Sequence, residues 1–283
     1  MLILLFVTFL HSCSDPLEIK LTEPDDLIVV DGWIEYGRQA RVFLTMNSPY
    51  FTSIDSASLR NLVLSRALVT LDDGEKSEVL ILRKDERYFP PYYYAGNTIY
   101  GDTGKTYTLT AFFGEKTATA KTTVPSKVDI KRTSFKLLED SDSLGNAVLV
   151  FDDPENEKNY YRIFSKRLGK EDRFYPTMVI ALNDQYFNGE EVTFSFAQPP
   201  SSFLSTEGAS YFSIEDTVVV KLVTMDQASF NFWDTYQQEV LNATNPFASS
   251  MINLESNIEG AGLGVWAGYG VSIDTVIASE FLK

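Results

Sequence analysis

The sequence predicts a mainly β protein of two domains, the second carrying one amphipathic helix. Three observations lead there. Short runs rich in β-branched and aromatic residues recur along the chain, separated by Gly, Pro, Asn and Asp. Twice, such runs alternate apolar and polar residues on both sides of a turn glycine. A single stretch changes to the period of a helix. Composition agrees: 44% of the 283 residues are apolar and 13% aromatic, ample for packed cores. At roughly 150 residues per domain, that length suits two.

Residues 27–34, 40–46 and 67–71 read as the first strands. The last should fold back as a hairpin through Asp72-Asp73-Gly74-Glu75 to Val79, Leu80 and Ile81, because Asp-Gly supplies the positive φ of a tight turn. A second hairpin follows. Tyr107, Leu109, Ala111 and Phe113 alternate with threonines, Gly114 turns the chain, and residues 117–124 return before Pro125 stops them. A boundary near Ser126 then leaves residues 27–126 as an immunoglobulin-like or transthyretin-like sandwich. Residues 127–283 form the second domain, with strands at 147–151, 160–165, 178–182, 192–196 and 217–223. Thr224-Met225-Asp226-Gln227 fits a capping box, which starts a helix near 225–242 with Phe232, Tyr236 and Val240 on one face. Those aromatics belong to a core.

The N-terminus carries an address. Residues 1–10 are apolar but too few to span a bilayer, which takes about 20, and they suit an export leader. Leu10-His11-Ser12-Cys13 resembles the lipobox of bacterial lipoproteins, so residues 1–12 are expected to be removed and Cys13 acylated. Residues 13–26, polar and broken by Pro16 and Pro24, then form a tether. The membrane is thus an expected partner, through lipid alone.

Chemistry is narrowed by what is missing from the sequence. The only His and the only Cys lie within the first 13 residues, so Ser-His-Asp and Cys-His catalysis and ordinary zinc ligation cannot come from the mature chain. Neither a metal nor another cofactor is expected. The net charge of -15 repels a phosphate backbone and argues against nucleic acid. Asp102-Thr103-Gly104 matches the aspartic-protease tripeptide, but one copy ahead of a strand reads as a turn. Gly262-Leu263-Gly264-Val265-Trp266-Ala267 fits a dinucleotide fingerprint, yet strand-like sequence follows, so its glycines read as a bulge or sharp bend. Asp140-Ser141-Asp142 lacks the closing Glu of a calcium loop, where Phe151 stands. No catalytic residue is assigned, and the chain is expected not to be an enzyme. A carboxylate-based hydrolase remains as a minor alternative, since two acids across a sugar suffice.

Residues 87–96 gather five aromatics around two prolines, a stretch too irregular for a strand interior. Tyr88, Phe89, Tyr92, Tyr93 and Tyr94 are the candidate contacts for a ligand or partner, since a tyrosine offers an apolar face with a polar tip. A loop tucked over its own sandwich is the plainer reading of the same residues.

Several separated motifs fall in a recognisable order: Cys13 with an acidic tether, Leu27-Ile28-Val29-Val30-Asp31-Gly32, Gly104-Lys105-Thr106-Tyr107-Thr108-Leu109, Phe151-Asp152-Asp153-Pro154, Asn159-Tyr160-Tyr161-Arg162, and Asn257-Ile258-Glu259-Gly260-Ala261-Gly262. In that order the chain resembles a Bacteroidota family of outer-membrane lipoproteins catalogued as domain of unknown function 4249. The resemblance implies a place at the outer membrane beside a TonB-dependent receptor, as an accessory or binding subunit. It supplies no catalytic residue. A surface glycan-binding lipoprotein is the alternative, using the tyrosines above.

Overall fold

The computed structural model describes residues 26–47, 60–199, 210–243 and 254–281. Its first strands are β1 (Ile28–Glu35) and β2 (Gln39–Met46), an antiparallel pair turned at Gly37, whose φ is 68°. β1 buries Ile28, Val30 and Ile34 on one face, as its alternation requires. β3 (Leu68–Asp72) and β4 (Ser77–Val79) form the first expected hairpin. Gly74 sits at φ 85°, and the Asp73 carboxylate accepts the N–H groups of Glu75 and Lys76 at 3.0 and 2.9 Å.

The return strand is shorter than the sequence suggests. At Leu80 the chain leaves this sheet, and β5 (Ile81–Lys84) pairs instead with β6 (Tyr92–Tyr100) in another. The second hairpin, β7 (Thr106–Phe113) with β8 (Lys116–Thr123), is as expected: Tyr107, Leu109 and Ala111 are buried, and Gly114 turns at φ 60°.

Beyond Pro125 come β9 (Ile130–Leu137), β10 (Leu144–Asp152), β11 (Tyr160–Arg167), β12 (Tyr175–Pro176), β13 (Leu182–Asn183), β14 (Glu191–Phe196), β15 (Phe212–Ser213) and β16 (Thr217–Met225). The strand expected at 178–182 is mostly absent. Its residues turn, with the Thr177 hydroxyl donating to the Val179 carbonyl at 2.8 Å, and only Leu182 and Asn183 pair with β11. The helix α1 (Gln227–Ala243) starts two residues later than the capping box implies. Asp226 is its cap, accepting the Ser229 N–H at 2.8 Å. Thr224 stays in β16 because its hydroxyl donates to the Ser126 carbonyl at 2.7 Å. β17 (Ile258–Gly260) and β18 (Gly262–Ile277) complete the set.

These strands make three sheets. The largest has nine strands in the order β12-β11-β16-β18-β1-β2-β6-β5, with β13 also on β11. A five-stranded sheet, β17-β8-β7-β3-β4, covers one half of it, and a four-stranded sheet, β14-β10-β15 with β9 on β10, covers the other. Each half is thus a β-sandwich, and the two share one sheet.

The shared element is β18. Its first half runs parallel to β1, from Ile28↔Gly262 to Glu35↔Tyr269, and its second half antiparallel to β16, from Met225↔Tyr269 to Thr217↔Ile277. The sheet therefore continues across the region of Ser126, and residues near the C-terminal end complete the packing begun by β1. Trp266 shows the consequence: fully buried in the first core, it donates its indole N–H to the Tyr107 carbonyl at 3.0 Å. Truncating such a side chain to Ala costs about 3–5 kcal/mol.

The opposite face of the large sheet carries α1. Phe230 and Phe232 pack there on Val223, Met225, Val265, Ala267 and Tyr269. Of the helix aromatics assigned to a core, Phe232 is in one, while Tyr236 stacks on it at 6.3 Å and stays only partly buried.

Candidate functional site

Consecutive residues of a strand point to opposite faces, and this disperses the five aromatics read as one loop. Tyr92, Tyr93 and Tyr94 belong to β6, not to an irregular stretch. Tyr94 enters the first core, donating to the Leu64 carbonyl at 2.6 Å and accepting the Ala67 N–H at 2.9 Å. It offers nothing to a ligand. Tyr93 faces the other way, onto the side of the sheet that bears α1, and is also largely buried. Its ring lies 5.5 Å from Phe43 and 6.0 Å from Tyr88. Phe89 is half exposed, Tyr88 and Tyr92 partly so.

Tyr93 and Tyr88 are nevertheless part of a larger arrangement. Trp33 stacks on Phe43 at 5.9 Å, and Phe43 meets Tyr88 at 5.0 Å. Arg41 donates to the Tyr88 hydroxyl at 2.8 Å and lies over Tyr93, while Arg173 lies over Tyr88 and Tyr175. Toward the helix, the buried Arg162 guanidinium sits 3.6 Å from the Trp233 ring centre and 4.7 Å from that of Phe164. Cations over aromatic faces gain from the ring quadrupole, by up to about 2 kcal/mol where water is excluded. The result is a continuous face of half-buried rings and cations between α1 and β6.

Asp31 lies on that face. β1 alternation places it with Trp33, and the β1–β2 register sets it opposite Phe43. It reaches solvent, yet protein surrounds it closely enough that loss of hydration pushes its carboxyl above the usual range, against the pull of Arg162. Burial, followed by the Asp31 charge, raises the Tyr236 hydroxyl. Tyr269 is raised by burial and bonded by Arg162 and Trp233, both at 3.2 Å. Further along the same face Lys221 pairs with Glu35 at 2.8 Å, and burial lowers the lysine despite that partner. This face thus gathers a buried arginine, a buried lysine–glutamate pair and several aromatic rings on one side of the large sheet.

The other motifs resolve as structure. Asp102 begins a turn in which its N–H donates to the Tyr107 hydroxyl at 2.7 Å and its carboxylate accepts the Thr103 N–H at 2.9 Å. The fingerprint glycines lie inside β18, so strand and not helix follows them directly. The chain bends sharply at Gly260, where φ is 82°, but the β18–β1 register is unbroken, so no bulge occurs. Gly264 instead permits close approach: a Cβ there would stand 1.9 Å from the Val30 carbonyl oxygen. Ser141 organises the acidic turn before β10, accepting the Leu144 N–H at 2.9 Å. Among the described residues no group of three or more metal-ligating side chains converges, and no helix is long and apolar enough to cross a membrane. The leader, Cys13 and the tether through residue 25 lie outside the described residues.

Elsewhere, an open concavity of about 370 Å3 at the β1–β2 and β6–β7 turns is lined by Tyr36, Tyr100, Asp102 and Lys105. Tyr36 and Tyr100 are 49% and 55% exposed, which sets them apart from the buried Tyr94.

Sequence reasoning missed the face of rings and charges on which Asp31 lies. Asp31, Arg162 and Trp233 come from three distant segments, and the local signal was a lone charge in the apolar run 27–34.

No curated protein matches the chain. Among solved structures, a DUF4785 family protein from Legionella pneumophila is similar at 12% identity, over 70% of this chain and 52% of that one, with a TM-score of 0.22. The chain spans about half the length of that protein, and a likeness of this size carries no argument. A family model described as "Domain of unknown function (DUF4249)" matches residues 14–274. The chain belongs to the DUF4249 family.

Proposed function

We propose that the protein is a lipid-anchored, non-enzymatic outer-membrane protein that serves as an accessory or binding subunit beside a TonB-dependent receptor. Cys13 carries this reading. It ends an apolar leader at the position of a lipobox, and it is the only cysteine of the sequence. Acyl chains contribute about 0.8 kcal/mol per buried methylene, so two or more hold a protein at a membrane without a spanning helix. The sequence beyond Cys13 has no His or thiol for nucleophilic catalysis. The face of half-buried rings and cations on the large sheet supports binding as the task.

The receptor is tested by extraction. Tagged protein taken from outer membranes in mild detergent should bring a β-barrel receptor with it, and repeated recovery alone contradicts the proposal.

Glycan binding is the second reading, now favoured by Tyr36 and Tyr100 in place of Tyr94. Their concavity lies at the far end of β1 from Ile28, one eight-residue strand or roughly 25 Å away. Exposed tyrosine faces beside Asp102 and Lys105 suit a saccharide. Replacing both tyrosines with Ala should abolish any glycan binding, and unchanged binding removes this site.

A further inference from the structure

One end of the first sandwich collects several turns of the chain. β1 begins there, with Ile28 opposite Met46 and the Asn47 N–H donating to the Leu27 carbonyl at 3.1 Å. β2 and β6 are antiparallel, with Val42 opposite Tyr94, so Tyr92 and the β5–β6 turn before it lie toward the same end. Gly262 is opposite Ile28, and a Cβ on it would stand 2.7 Å from that of Ala118, which brings the start of β8 and the turn at Gly114 alongside. Leu68, opposite Phe112, begins β3 there too.

These turns leave apolar side chains in water. Phe89 and Leu68 are half exposed, and Phe112 nearly so. Arg60 lies over the Phe89 ring at 5.8 Å, and its segment is tied to β2 by the bond from the Met46 N–H to the Leu62 carbonyl. Arg60, Arg66 and Arg83 are exposed, and no ion pair holds any of them among the described residues. Lys84 and Arg87 beside them pair with Glu86 and Asp85 at 2.5 and 2.6 Å.

Segments 60–67 and 83–91 thus hold five cations and two acids, in a chain that has 24 and 39. Asp26 and the Glu115–Lys116 turn also lie at this end, and residues 14–25 and 48–59 add five acids and one lysine. Long-range attraction is therefore not the basis of a contact here. What counts is local: guanidinium groups without carboxylates, set around an exposed ring.

The occupant follows from where the chain enters. At most about 50 Å of extended chain separates Cys13 from Leu27, so a leaflet holding the acyl chains lies within reach of this end. A bilayer interface accepts both features together. A ring on a convex turn enters the boundary between headgroups and acyl chains, while arginines beside it stay at headgroup level and donate charge-assisted hydrogen bonds to lipid phosphate. The opposite end of the sandwich carries Tyr36 and Tyr100 with three carboxylates and two lysines, and no such excess of cations.

We propose that the end where β1 begins rests on the phospholipid leaflet, with Phe89 entering the interface and Arg60, Arg66 and Arg83 donating to lipid phosphates. This rests on the reading of Cys13 as the lipid anchor and adds a second contact, made by protein, that orients the anchored chain. The concavity at Tyr36 and Tyr100 then faces away from the membrane.

The test uses the full acylated chain in vesicles of phosphatidylethanolamine and phosphatidylglycerol, made with or without brominated acyl chains, which quench tryptophan on contact. Phe89→Trp places a reporter at the turn, and Tyr36→Trp places one at the opposite end. Subtracting the parent removes Trp33, Trp233 and Trp266. Bromine should remove roughly half of the emission added at position 89 and none of that added at position 36. Arg60→Gln, Arg66→Gln and Arg83→Gln together should cut the quenching at position 89 by about twofold or more. All these side chains are exposed, so the variants should melt with the parent. Emission at position 89 that bromine leaves unchanged, or equal quenching at both positions, overturns the proposal. Quenching untouched by loss of the three arginines overturns the phosphate contact and leaves those groups to the acids of residues 14–26. An unacylated chain contradicts the anchor beneath the inference, whereas an acylated chain seated in vesicles but unquenched at position 89 overturns this inference alone.

Discussion

Asp226 joins three parts of the molecule, and replacing it should loosen all three. One carboxylate oxygen caps α1 through the Ser229 N–H; the other accepts from the Thr122 hydroxyl at 2.6 Å and the Thr123 N–H at 3.2 Å, both at the end of β8. The Thr122 hydroxyl in turn accepts the Gly268 N–H of β18 at 2.7 Å. Loss of an N-cap costs about 1 kcal/mol. Each hydrogen bond to a charged group contributes roughly 1.5–3 kcal/mol, with the longer bond at the lower end. Asp226→Ala should therefore destabilise the fold by about 4–5.5 kcal/mol, a large share of the 5–15 kcal/mol typical of folded proteins. Asp226→Asn keeps one acceptor oxygen and should lose only about 1–2 kcal/mol. Urea unfolding followed by circular dichroism gives both values, provided the slope is unchanged. A loss under about 1 kcal/mol for the alanine variant, or equal losses for the two, would refute the idea that this carboxylate fastens helix to sandwich.

Three further substitutions probe other parts of the account. Gly264→Ala forces a Cβ against the Val30 carbonyl at a φ of 120°, and strain plus displacement should cost about 3 kcal/mol or more, read as a fall in melting temperature. Tyr94→Phe leaves the Leu64 carbonyl and Ala67 N–H without their partner and should cost about 1–3 kcal/mol, whereas Tyr92→Phe should stay within about 0.5 kcal/mol. Hydrogen bonds from Arg132 and then Lys131 hold the Glu191 carboxyl down to about 2, from an ordinary 4.5. A carboxyl lowered in the folded state stabilises above its unfolded pKa and loses that effect as pH falls. Acid unfolding should accordingly steepen between about 4.5 and about 2, and Glu191→Gln should remove that part of the curve.

How far the sequence was legible depended on how local the determining physics is. The β7–β8 hairpin could be read because alternation and one turn glycine specify it within 20 residues. The pairing of β18 with β1 could not, because it joins opposite ends of the chain and nothing near Gly262 names its partner. The helix was visible and its cap was not: Thr224 and Asp226 both suit a cap locally, and the bond from Thr224 to Ser126 decides between them. The aromatic stretch was read as one surface because its prolines suggested a loop. Once Tyr92 enters β6, the pleat turns Tyr93 and Tyr94 to opposite sides. Arg162 and Trp233 read as an ordinary strand residue and a core residue, and only the folded chain brings them together.

The most direct test of the anchored binding subunit is intact-mass analysis of protein recovered from the membrane fraction. The account predicts a chain beginning at Cys13 and heavier than its polypeptide by the mass of its acyl chains, and a Cys13→Ala variant that leaves the membrane. An unmodified chain still starting at Met1, recovered in the cytosol, would contradict it.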